Sequence, residues 1–370
     1  MKPISNIQIK HIRTLEEFAT LKDSWAILYV NRPQKTAFLT WEWLYTWWKN
    51  FGENKELWLL TAWKEERLVG AAPLMLSKEK RLGLGYRLLQ SLGKPNTDEG
   101  DFLAIEDAEQ VINLFFDYLD SQKRHWDAIE FCELSSESPT AFIIGEKLKN
   151  FNLVIKRQIN PHFYIRTSES WDEYWKSISK NTRESVEKRL RQGKKKFSLE
   201  FQYIKSENVK WEHFDIVSTI NQNAKYSEKY GSPKEFDYLR DLLSAMQGKG
   251  WLEVIILYME GKPVAYDYGF NMEGKFEDWR TGYDTGYATQ AVGKLLLFLM
   301  IQYQFQNEEY HHFDFLRGAY EYKAQWNPQS RDYINLVGVK PYHIPARLSL
   351  ITLPIIWEWI KRKILKRKPT

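Results

Sequence analysis

Two stretches of the sequence share one pattern, and this repeat limits the possible folds more than any other feature. Residues 56–76 read ELWLLTAWKEERLVGAAPLML, and residues 251–270 read WLEVIILYMEGKPVAYDYGF. Each combines an apolar strand, a polar turn and a second strand of Val and small residues, which predicts a β-hairpin. The spacing differs by two residues between the copies. The repeat favours two related domains divided near Pro161.

Strands alternate with helices around both hairpins, which predicts an α/β (α+β) protein. A helix over about residues 40–50 has Thr40 as its N-cap and Gly52 just past its end. We place one domain at residues 1–160, a second at 161–345 and a basic amphipathic tail at 346–370.

The composition is that of a folded protein in a reducing compartment. Of 370 residues, 43% are hydrophobic and 16 are Trp, which excludes a disordered chain. The single cysteine, Cys132, excludes a disulfide framework within the chain, and its apolar surroundings DAIEFCEL indicate a core residue. The N-terminus lacks the apolar segment of a signal peptide, so we expect a cytoplasmic location.

Several reaction classes lack their signatures in the sequence. The seven histidines form no HExxH pair and there is one cysteine, so no metal site is predicted. There is no G-x-S-x-G elbow and no P-loop, which disfavours hydrolases and kinases.

The tail carries almost all of the net charge. From Arg347 onward there are seven Lys and Arg and one Glu, a net charge of +6, against +5 for the whole chain and therefore −1 for residues 1–346. Residues 348–360 are mostly apolar and include Trp357 and Trp359. This pattern suits docking of residues 347–370 on an anionic membrane surface, at its inner face. The alternative is a terminal helix packed on its own domain, and nucleic acid is a less favoured partner.

A second basic segment opens the second domain. From Lys180 to Lys196 there are eight Lys and Arg against two Glu, on a helix predicted to start at Asn181 or Thr182 and to end at Gly193. Such a face is either simply solvated or a landing site for a phosphate-bearing acceptor or an anionic glycan. Arg183 is its candidate substrate-binding residue.

A strand, a loop and a helix after the second hairpin predict an anion cradle, residues 284–293. Phe276 to Tyr283 should form a strand, DTGYATQA a loop, and Val292 to Gln306 an apolar helix. The first N–H groups of a helix are unpaired and its dipole is positive there. Gly293 permits close approach of a ligand and Lys294 adds charge.

The order of elements here resembles the GCN5-related N-acetyltransferase (GNAT) fold. Hairpin, strand, cradle, long helix, strand, short helix and the final strand DYINLVGV follow one another. In that fold the loop after the fourth strand binds the coenzyme A pyrophosphate through a Q/R-x-x-G-x-G/A motif. Gln290 and Gly293 match it, while Leu295 replaces the last small residue. The resemblance implies two tandem GNAT-like domains, each a mixed, mostly antiparallel sheet flanked by helices, with the coenzyme A site in the second.

Blocks between about residues 38 and 326 are similar to the CelD/BcsL-type acetyltransferase family. In order they are FLTWEWLYTWWKNFG, LVGAAPLML, LLQSLGKPNTDEGDFL, RESVEKRLRQGKKKFSLEF, GYDTGYATQAVGKLLL and FDFLRGAYEYKAQW. This family is often associated with exopolysaccharide or surface glycan biosynthesis, and Fem-type aminoacyl transferases share its tandem domains. The resemblance implies acetyl-CoA or another acyl-CoA as co-substrate, without a metal. Its binding residues would be Thr281, Gly282, Tyr283, Gln290, Val292, Gly293 and Lys294.

Candidate catalytic residues cluster near HFDFLRGAYEYKAQWN, residues 312–327, which predicts a strand, a turn and a helix from about Ala319. Acyl transfer from a thioester to an amine needs a polarised carbonyl, a neutral amine and a proton for the thiolate. Asp284 and Asp314 are candidate proton acceptors. The resemblance suggests Tyr322 or Tyr320 as the proton donor.

Three further side chains of this stretch complete the candidate site. Lys323 could stabilise negative charge, and Arg317 and Tyr320 could bind the acceptor. Structural roles remain open, because Asp314 could pair with Arg317 or Lys323, and Tyr322 could pack on Trp326 at i,i+4.

Three functions follow from these patterns. The first is an acyl-CoA-dependent N-acyltransferase acting on an amino group of a sugar, a sugar nucleotide or a lipid-linked glycan. The second is a Fem-like transferase using aminoacyl-tRNA, with helix 180–196 binding RNA. The third is a non-catalytic, membrane-docked partner in a polysaccharide synthesis complex.

Overall fold

The computed structural model describes residues 7–81, 83–224, 232–318 and 320–365. The chain forms two compact units. The first comprises Met1–Gln34, Phe38–Asn160 and Asp332–Thr370, and the second comprises Lys35–Ala37 and Pro161–Arg331. Residues 332–345, which the sequence analysis assigns to the second domain, therefore lie in the first unit.

The elements up to Arg166 lie mainly in the first unit. In chain order they are β1 (Ile7–Ile12), α1 (Leu15–Ala19), α2 (Lys22–Val30), a 3₁₀ turn (Ala37–Leu39), α3 (Trp41–Phe51), β2 (Lys55–Leu57), β3 (Leu59–Lys64), β4 (Arg67–Ala72), β5 (Leu74–Arg81), β6 (Leu84–Ser91), β7 (Leu103–Ala104), α4 (Ala108–Ser121), β8 (Ala128–Ser135), α5 (Pro139–Lys149) and β9 (Val154–Arg166).

The elements after Arg166 build the second unit and then return to the first. They are α6 (Trp171–Ser177), α7 (Lys180–Lys196), β10 (Leu199–Ile204), a 3₁₀ turn (Ser206–Asn208), α8 (Trp211–Gln222), α9 (Pro233–Met246), β11 (Leu252–Met259), β12 (Lys262–Met272), β13 (Lys275–Tyr283), a 3₁₀ turn (Thr285–Gln290), α10 (Val292–Phe305), β14 (His312–Arg317), α11 (Glu321–Ala324), β15 (Gln329–Val339), α12 (Ile344–Arg347), a π turn (Leu348–Thr352) and α13 (Leu353–Leu365).

The first unit contains two sheets. One has the order β1-β3-β4-β7, and the other contains β9-β15-β8-β6-β5-β2. β6 and β8 are parallel, and α4 lies between them in sequence because a parallel pair needs a crossover. α4 buries Val111, Ile112, Phe115 and Leu119, a helical spacing that presents one apolar face to the core.

The second unit repeats this plan with the sheet order β10-β11-β12-β13-β14-β9. Its pairs are antiparallel except β13 and β14, which are parallel and joined through α10. α10 is apolar around most of its circumference and packs with Val186 of α7, Phe276 and Phe313 in one core. The predicted fold class, tandem domains of mixed, mostly antiparallel sheets flanked by helices, is confirmed.

Helix α7 begins and ends outside its predicted limits. Ser179 is the N-cap, since its hydroxyl accepts from the Thr182 amide at 3.3 Å. The helix passes through Gly193 to Lys196. A Cβ on Gly193 would lie 2.4 Å from Leu199 Cδ1, so this glycine permits close packing inside the helix and does not terminate it.

Among the described residues, no helix has the length and apolar character needed to cross a membrane.

A buried carboxyl network lies at the start of β11. Glu253 accepts hydrogen bonds from the Tyr203 hydroxyl at 2.7 Å, the Tyr310 hydroxyl at 2.9 Å and Asn271 Nδ2 at 3.3 Å. Burial raises the pKa of Glu253 to about 7, although these hydrogen bonds oppose the shift. The folded chain therefore holds a proton here that the unfolded chain releases near pH 4.5.

Glu253→Gln should reduce the loss of stability with rising pH. Because the folded pKa exceeds the unfolded one, the Glu253 contribution is complete below about pH 4.5 and is lost as the pH rises through about 7. The loss is about 3 kcal/mol for a shift of this size. Thermal unfolding is measured for both proteins at pH 5 and pH 8. The unfolding midpoint of the variant, relative to that of wild type, should be higher at pH 8 than at pH 5. Glu200→Gln, at an exposed site on β10, is the control and should follow wild type. Equal pH dependence of E253Q and wild type would contradict the prediction.

Candidate functional site

The parallel strands β13 and β14 pair over a short length and then part. Their ladder joins Lys275, Phe276 and Glu277 to His312, Phe313 and Asp314. Beyond it, β13 remains paired with β12 as far as Tyr283, and β14 bends at Leu316, which has a φ of 56°. We call the space between residues 278–283 and 315–317 the strand opening. Along this space, the backbone N–H and C=O groups on one edge of β13 are not paired with β14 and can bind a ligand.

The bend in β14 is held by Asp314. Its Oδ1 accepts from the Leu316 amide at 2.8 Å, and its Oδ2 lies 3.2 Å from Arg331 Nη2. Asp314 is fully buried, and the Arg331 guanidinium also stacks over the Tyr164 ring at 4.3 Å. This carboxylate is therefore engaged in an ion pair and a turn.

Two carboxyl groups meet at the strand opening. Asp267 on β12 and Asp278 on β13 are 2% and 8% exposed, and their side chains are hydrogen-bonded to each other. Burial, and then the charge of Asp278, raises the pKa of Asp267 well above its ordinary value. Asp267 therefore favours its protonated form, in which its hydroxyl donates to Asp278.

Tyr322 on α11 lies near this pair. Desolvation of the phenol, followed by the negative charge of the acid pair, raises the pKa of Tyr322. Its ring is stacked with that of Tyr320, with centroids 6.1 Å apart and planes inclined by 13°. The opening therefore holds a phenol that can donate a proton and a carboxylate that can accept one.

The anion cradle begins where β13 ends. Asp284 Oδ1 accepts from the Gly286 amide at 2.8 Å, so Asp284 caps the 3₁₀ turn that follows. Ala291, with a φ of 57°, turns the chain into α10. A Cβ on Gly293 would lie 3.0 Å from Tyr283 Cδ1, which explains the need for glycine in the first turn.

Two cations from different helices border the cradle. The Arg189 guanidinium of α7 donates to the Thr289 carbonyl. Lys294 Nζ donates to Gln325 Oε1 at 3.2 Å, and its pKa is lowered, first by burial and then by Arg189. The cradle therefore combines a helix N-terminus with positive side chains, as sites for phosphate do.

Residues 180–324 match the family described as "Acetyltransferase (GNAT) domain". This second unit carries a domain of the GNAT superfamily. Among curated proteins, none matches the sequence.

Solved structures resemble the chain over most of its length. "Crystal structure of FemX" has a TM-score of 0.59 and 10% identity, covering 93% of this chain and 99% of that one. The C-terminal domain of a putative lysylphosphatidylglycerol synthetase from Agrobacterium fabrum has a TM-score of 0.55 and 12% identity, covering 92% of this chain and 97% of that one. A tandem GNAT protein from the clavulanic acid biosynthesis pathway has a TM-score of 0.53 and 11% identity, covering 90% of this chain and 99% of that one. At these identities the likeness concerns the fold.

In the GNAT domain, Lys323 clamps the end of β14. It is 4% exposed, and its Nζ donates to the carbonyls of Phe315 at 2.6 Å and Arg317 at 2.8 Å. The ammonium also lies 5.4 Å from the Tyr320 ring centroid. Lys323 thus ties α11 to the strand that borders the opening.

The other predicted residues take various positions. Asp284 caps its turn and also accepts a hydrogen bond from Asn223 Nδ2 at 3.2 Å. Arg183 Nε donates to the Ile178 carbonyl at 3.1 Å. Tyr320 is exposed at the N-cap of α11, while Ala319, the predicted helix start, lies outside the described residues. Of the predicted catalytic side chains, Tyr322 is the one whose pKa is raised by the acid pair.

Four further predicted binding residues lie at the end of β13 or in the cradle. The Thr281 hydroxyl donates to the Tyr266 carbonyl at 3.2 Å, and a Cβ on Gly282 would lie 2.7 Å from the Tyr266 ring. The Gln290 side-chain oxygen accepts from Thr289 Oγ1 at 2.7 Å. Val292 is buried, so its contribution to a ligand is limited to its backbone.

Among the described residues, none forms a group of three or more His, Cys, Asp or Glu that could hold a metal ion. Burial raises the pKa of the Cys132 thiol to about 12, so it stays protonated and is a weak nucleophile.

Asp314→Asn should destabilise the GNAT domain by about 3–5 kcal/mol, because it removes the negative charge opposite the Arg331 guanidinium in a buried pair. Urea unfolding followed by tryptophan fluorescence measures the change. Glu146→Gln, which breaks an exposed pair with Lys149 on α5, is the control and should cost about 0.5 kcal/mol or less. An effect of D314N as small as that of E146Q would show that the pair does not hold the bend.

Proposed function

We propose that the chain is an acyl-CoA-dependent N-acyltransferase, with acetyl as the simplest acyl group, acting on an amino group of a sugar, a sugar nucleotide or a lipid-linked glycan. The carrying observation is that β13 joins the buried Asp278, which lies with Asp267 at the strand opening, to Tyr283, whose ring lies against Gly293 of the cradle. Tyr322 of α11 lies near the same pair, whose charge contributes to the raised pKa of its phenol. One strand thus links a proton acceptor to an anion site, and helix α11 supplies the proton donor.

The cradle residues fit the diphosphate of a coenzyme A thioester. Gly293 lies in the first turn of α10, where the amide N–H groups of the helix are unpaired. Arg189 and Lys294 supply positive charge. Leu295, at the motif position of a small residue, is 1% exposed within the apolar core, so its side chain does not fill the cradle. A bound acyl-CoA supplies an activated carbonyl and a thiolate leaving group.

The side chains of the opening divide the proton transfers between them. Asp278 takes a proton from the acceptor ammonium, which frees the nitrogen lone pair to attack the thioester carbonyl carbon. The new C–N bond forms as the C–S bond breaks, and the Tyr322 hydroxyl gives its proton to the sulfur. The nitrogen loses its second proton as the neutral amide forms, and this proton restores the Tyr322 hydroxyl. Each such transfer contributes about 10²–10⁴-fold to the rate.

The stacked rings of Tyr320 and Tyr322 support a sugar-bearing acceptor. They are 61% and 43% exposed next to the acid pair. Flat aromatic faces offer large dispersion contacts to the C–H face of a sugar ring. The similarity to the CelD/BcsL-type family supports the same class of acceptor.

A Fem-like transferase using aminoacyl-tRNA is the second candidate, and the basic face of α7 favours it. Its exposed Lys188 and Arg191 are on the helix that brings Arg189 to the cradle. Thermal-shift titration with acetyl-CoA, longer acyl-CoAs and tRNA separates the candidates. Stabilisation by an acyl-CoA is expected. Stabilisation by tRNA alone would favour the second candidate. If neither ligand stabilises the protein, the non-catalytic, membrane-docked partner becomes the favoured function.

Arg189→Ala should weaken coenzyme A binding at least tenfold while leaving pantetheine, which lacks the diphosphate, unaffected. The reason is that the guanidinium borders the cradle and not the strand opening. Isothermal titration calorimetry measures both ligands. Lys188→Ala, the adjacent exposed position, is the control. Equal weakening by K188A and R189A would indicate a diffuse polyanion site and contradict a dedicated diphosphate site.

Asp278→Asn and Tyr322→Phe should each lower kcat at least about 100-fold with little change in acyl-CoA affinity, because each removes one proton transfer. Steady-state kinetics and ligand titration give the two quantities, with glucosamine as the test acceptor. Asp267→Asn is the matched variant, since its amide still donates to Asp278 and should retain activity within about tenfold. Equal losses in D267N and D278N would contradict the assignment of Asp278 as the proton acceptor.

A further inference from the structure

The C-terminal segment of the described chain is fixed to the first unit at its start. Ala346 and Ser349 are buried, and Leu350 and Ile351 pack on a small core with Tyr86. Ser349 Oγ lies 2.9 Å from the Tyr86 hydroxyl, and its carbonyl accepts from Arg81 Nη1 at 3.1 Å. These contacts hold α12 and the π turn in place.

Helix α13 then presents apolar side chains to solvent. Ile355, Ile356, Trp357 and Trp359 are 54%, 45%, 58% and 57% exposed. At 100° per residue, Ile355, Trp359, Ile356 and Ile360 fall within an arc of about 140°. This apolar face is unusual for a terminal helix in water, because such clusters mark interaction surfaces.

The sequence next to this face is strongly basic. Residues 355–368 contain six Lys and Arg and one Glu, and residues 366–370 of the predicted tail lie outside the described residues. Lys363 Nζ lies 3.9 Å from the Trp359 ring centroid. Tryptophan with nearby cations is the combination favoured at the boundary between lipid headgroups and acyl chains.

We infer that α13, residues 353–365, docks the first unit on an anionic lipid surface, and that the basic sequence following it adds to the charge. Charge complementarity selects this partner, since anionic headgroups attract clustered cations while the apolar face enters the boundary region. From Ile355 to Leu365 the helix is about 16 Å long, roughly half of the ~30 Å hydrocarbon core. The helix therefore lies along the surface. Its fixed end carries the surface contact directly to the folded unit.

Co-sedimentation of the full chain with vesicles of phosphatidylcholine alone, or with 30% phosphatidylglycerol, tests the inference. We expect at least tenfold stronger binding to the anionic vesicles, and a loss of most of it between 0.1 and 0.5 M salt. Ile355→Asp with Ile356→Asp should reduce the binding at least tenfold. The control is Ile27→Asp with Val30→Asp, an equally exposed apolar pair on α2.

The remaining outcomes overturn the inference. They are equal binding to both kinds of vesicle, no binding, or equal binding by the two double variants. Analytical ultracentrifugation could give a further contrary outcome. A dimer that is lost in I355D/I356D would show that a second copy of the chain, and not a lipid surface, covers the apolar face. None of these results depends on enzymatic activity.

Discussion

The strand opening depends on the hydrogen bond from the Leu316 amide to buried Asp314. A leucine in the left-handed region costs about 1–2 kcal/mol, and a hydrogen bond to a charged group contributes about 1.5–3 kcal/mol. The bend is therefore stable because the carboxylate accepts this amide while Arg331 balances its charge. Without the bend, β14 could continue its ladder along β13 and close the space beside Asp278. Lys323 also stabilises the bend, because its ammonium donates to the carbonyls of Phe315 and Arg317 on either side of Leu316.

Much of the fold and half of the site could be predicted from the sequence. The spacing of apolar residues and the helix-capping residues indicate the strands, α10 and the anion cradle. Both signals depend only on residues close together in the sequence. The acid pair was missed because Asp267 alternates with Tyr266 and Tyr268 and so resembles a residue on a solvated face, whereas packing covers both faces of β12. The partner of Asp314 was missed for a similar reason, since Arg331 lies on another strand. Acidic residues inside otherwise apolar strands, as in PVAYDYGF and KFEDWR, were the available signal.

The corresponding segment of the first unit has a different chemistry. Between β6 and β7, where the second unit has its cradle between β13 and α10, the first unit buries Asp98, Glu99 and Asp101. Asp101 accepts from Ser138 Oγ at 2.6 Å, and Tyr333 donates to Glu99 at 2.5 Å. A diphosphate would meet carboxylates here, and like charges repel strongly where water is scarce. The corresponding segments of the two units thus carry different charged groups, which supports the proposal of a single donor site in the second unit.

The charge of Asp278 couples the two proton transfers in the proposed reaction. A phenol with a pKa above 10 gives its proton uphill to a thiolate, whose conjugate acid has a pKa near 8.5. Part of that rise comes from the negative charge on Asp278. When Asp278 takes the proton of the acceptor ammonium, its charge disappears and the Tyr322 proton becomes easier to transfer. Deprotonation of the amine therefore prepares the donor for the leaving thiolate, so that Tyr322 remains a weak acid until an acceptor amine has been activated.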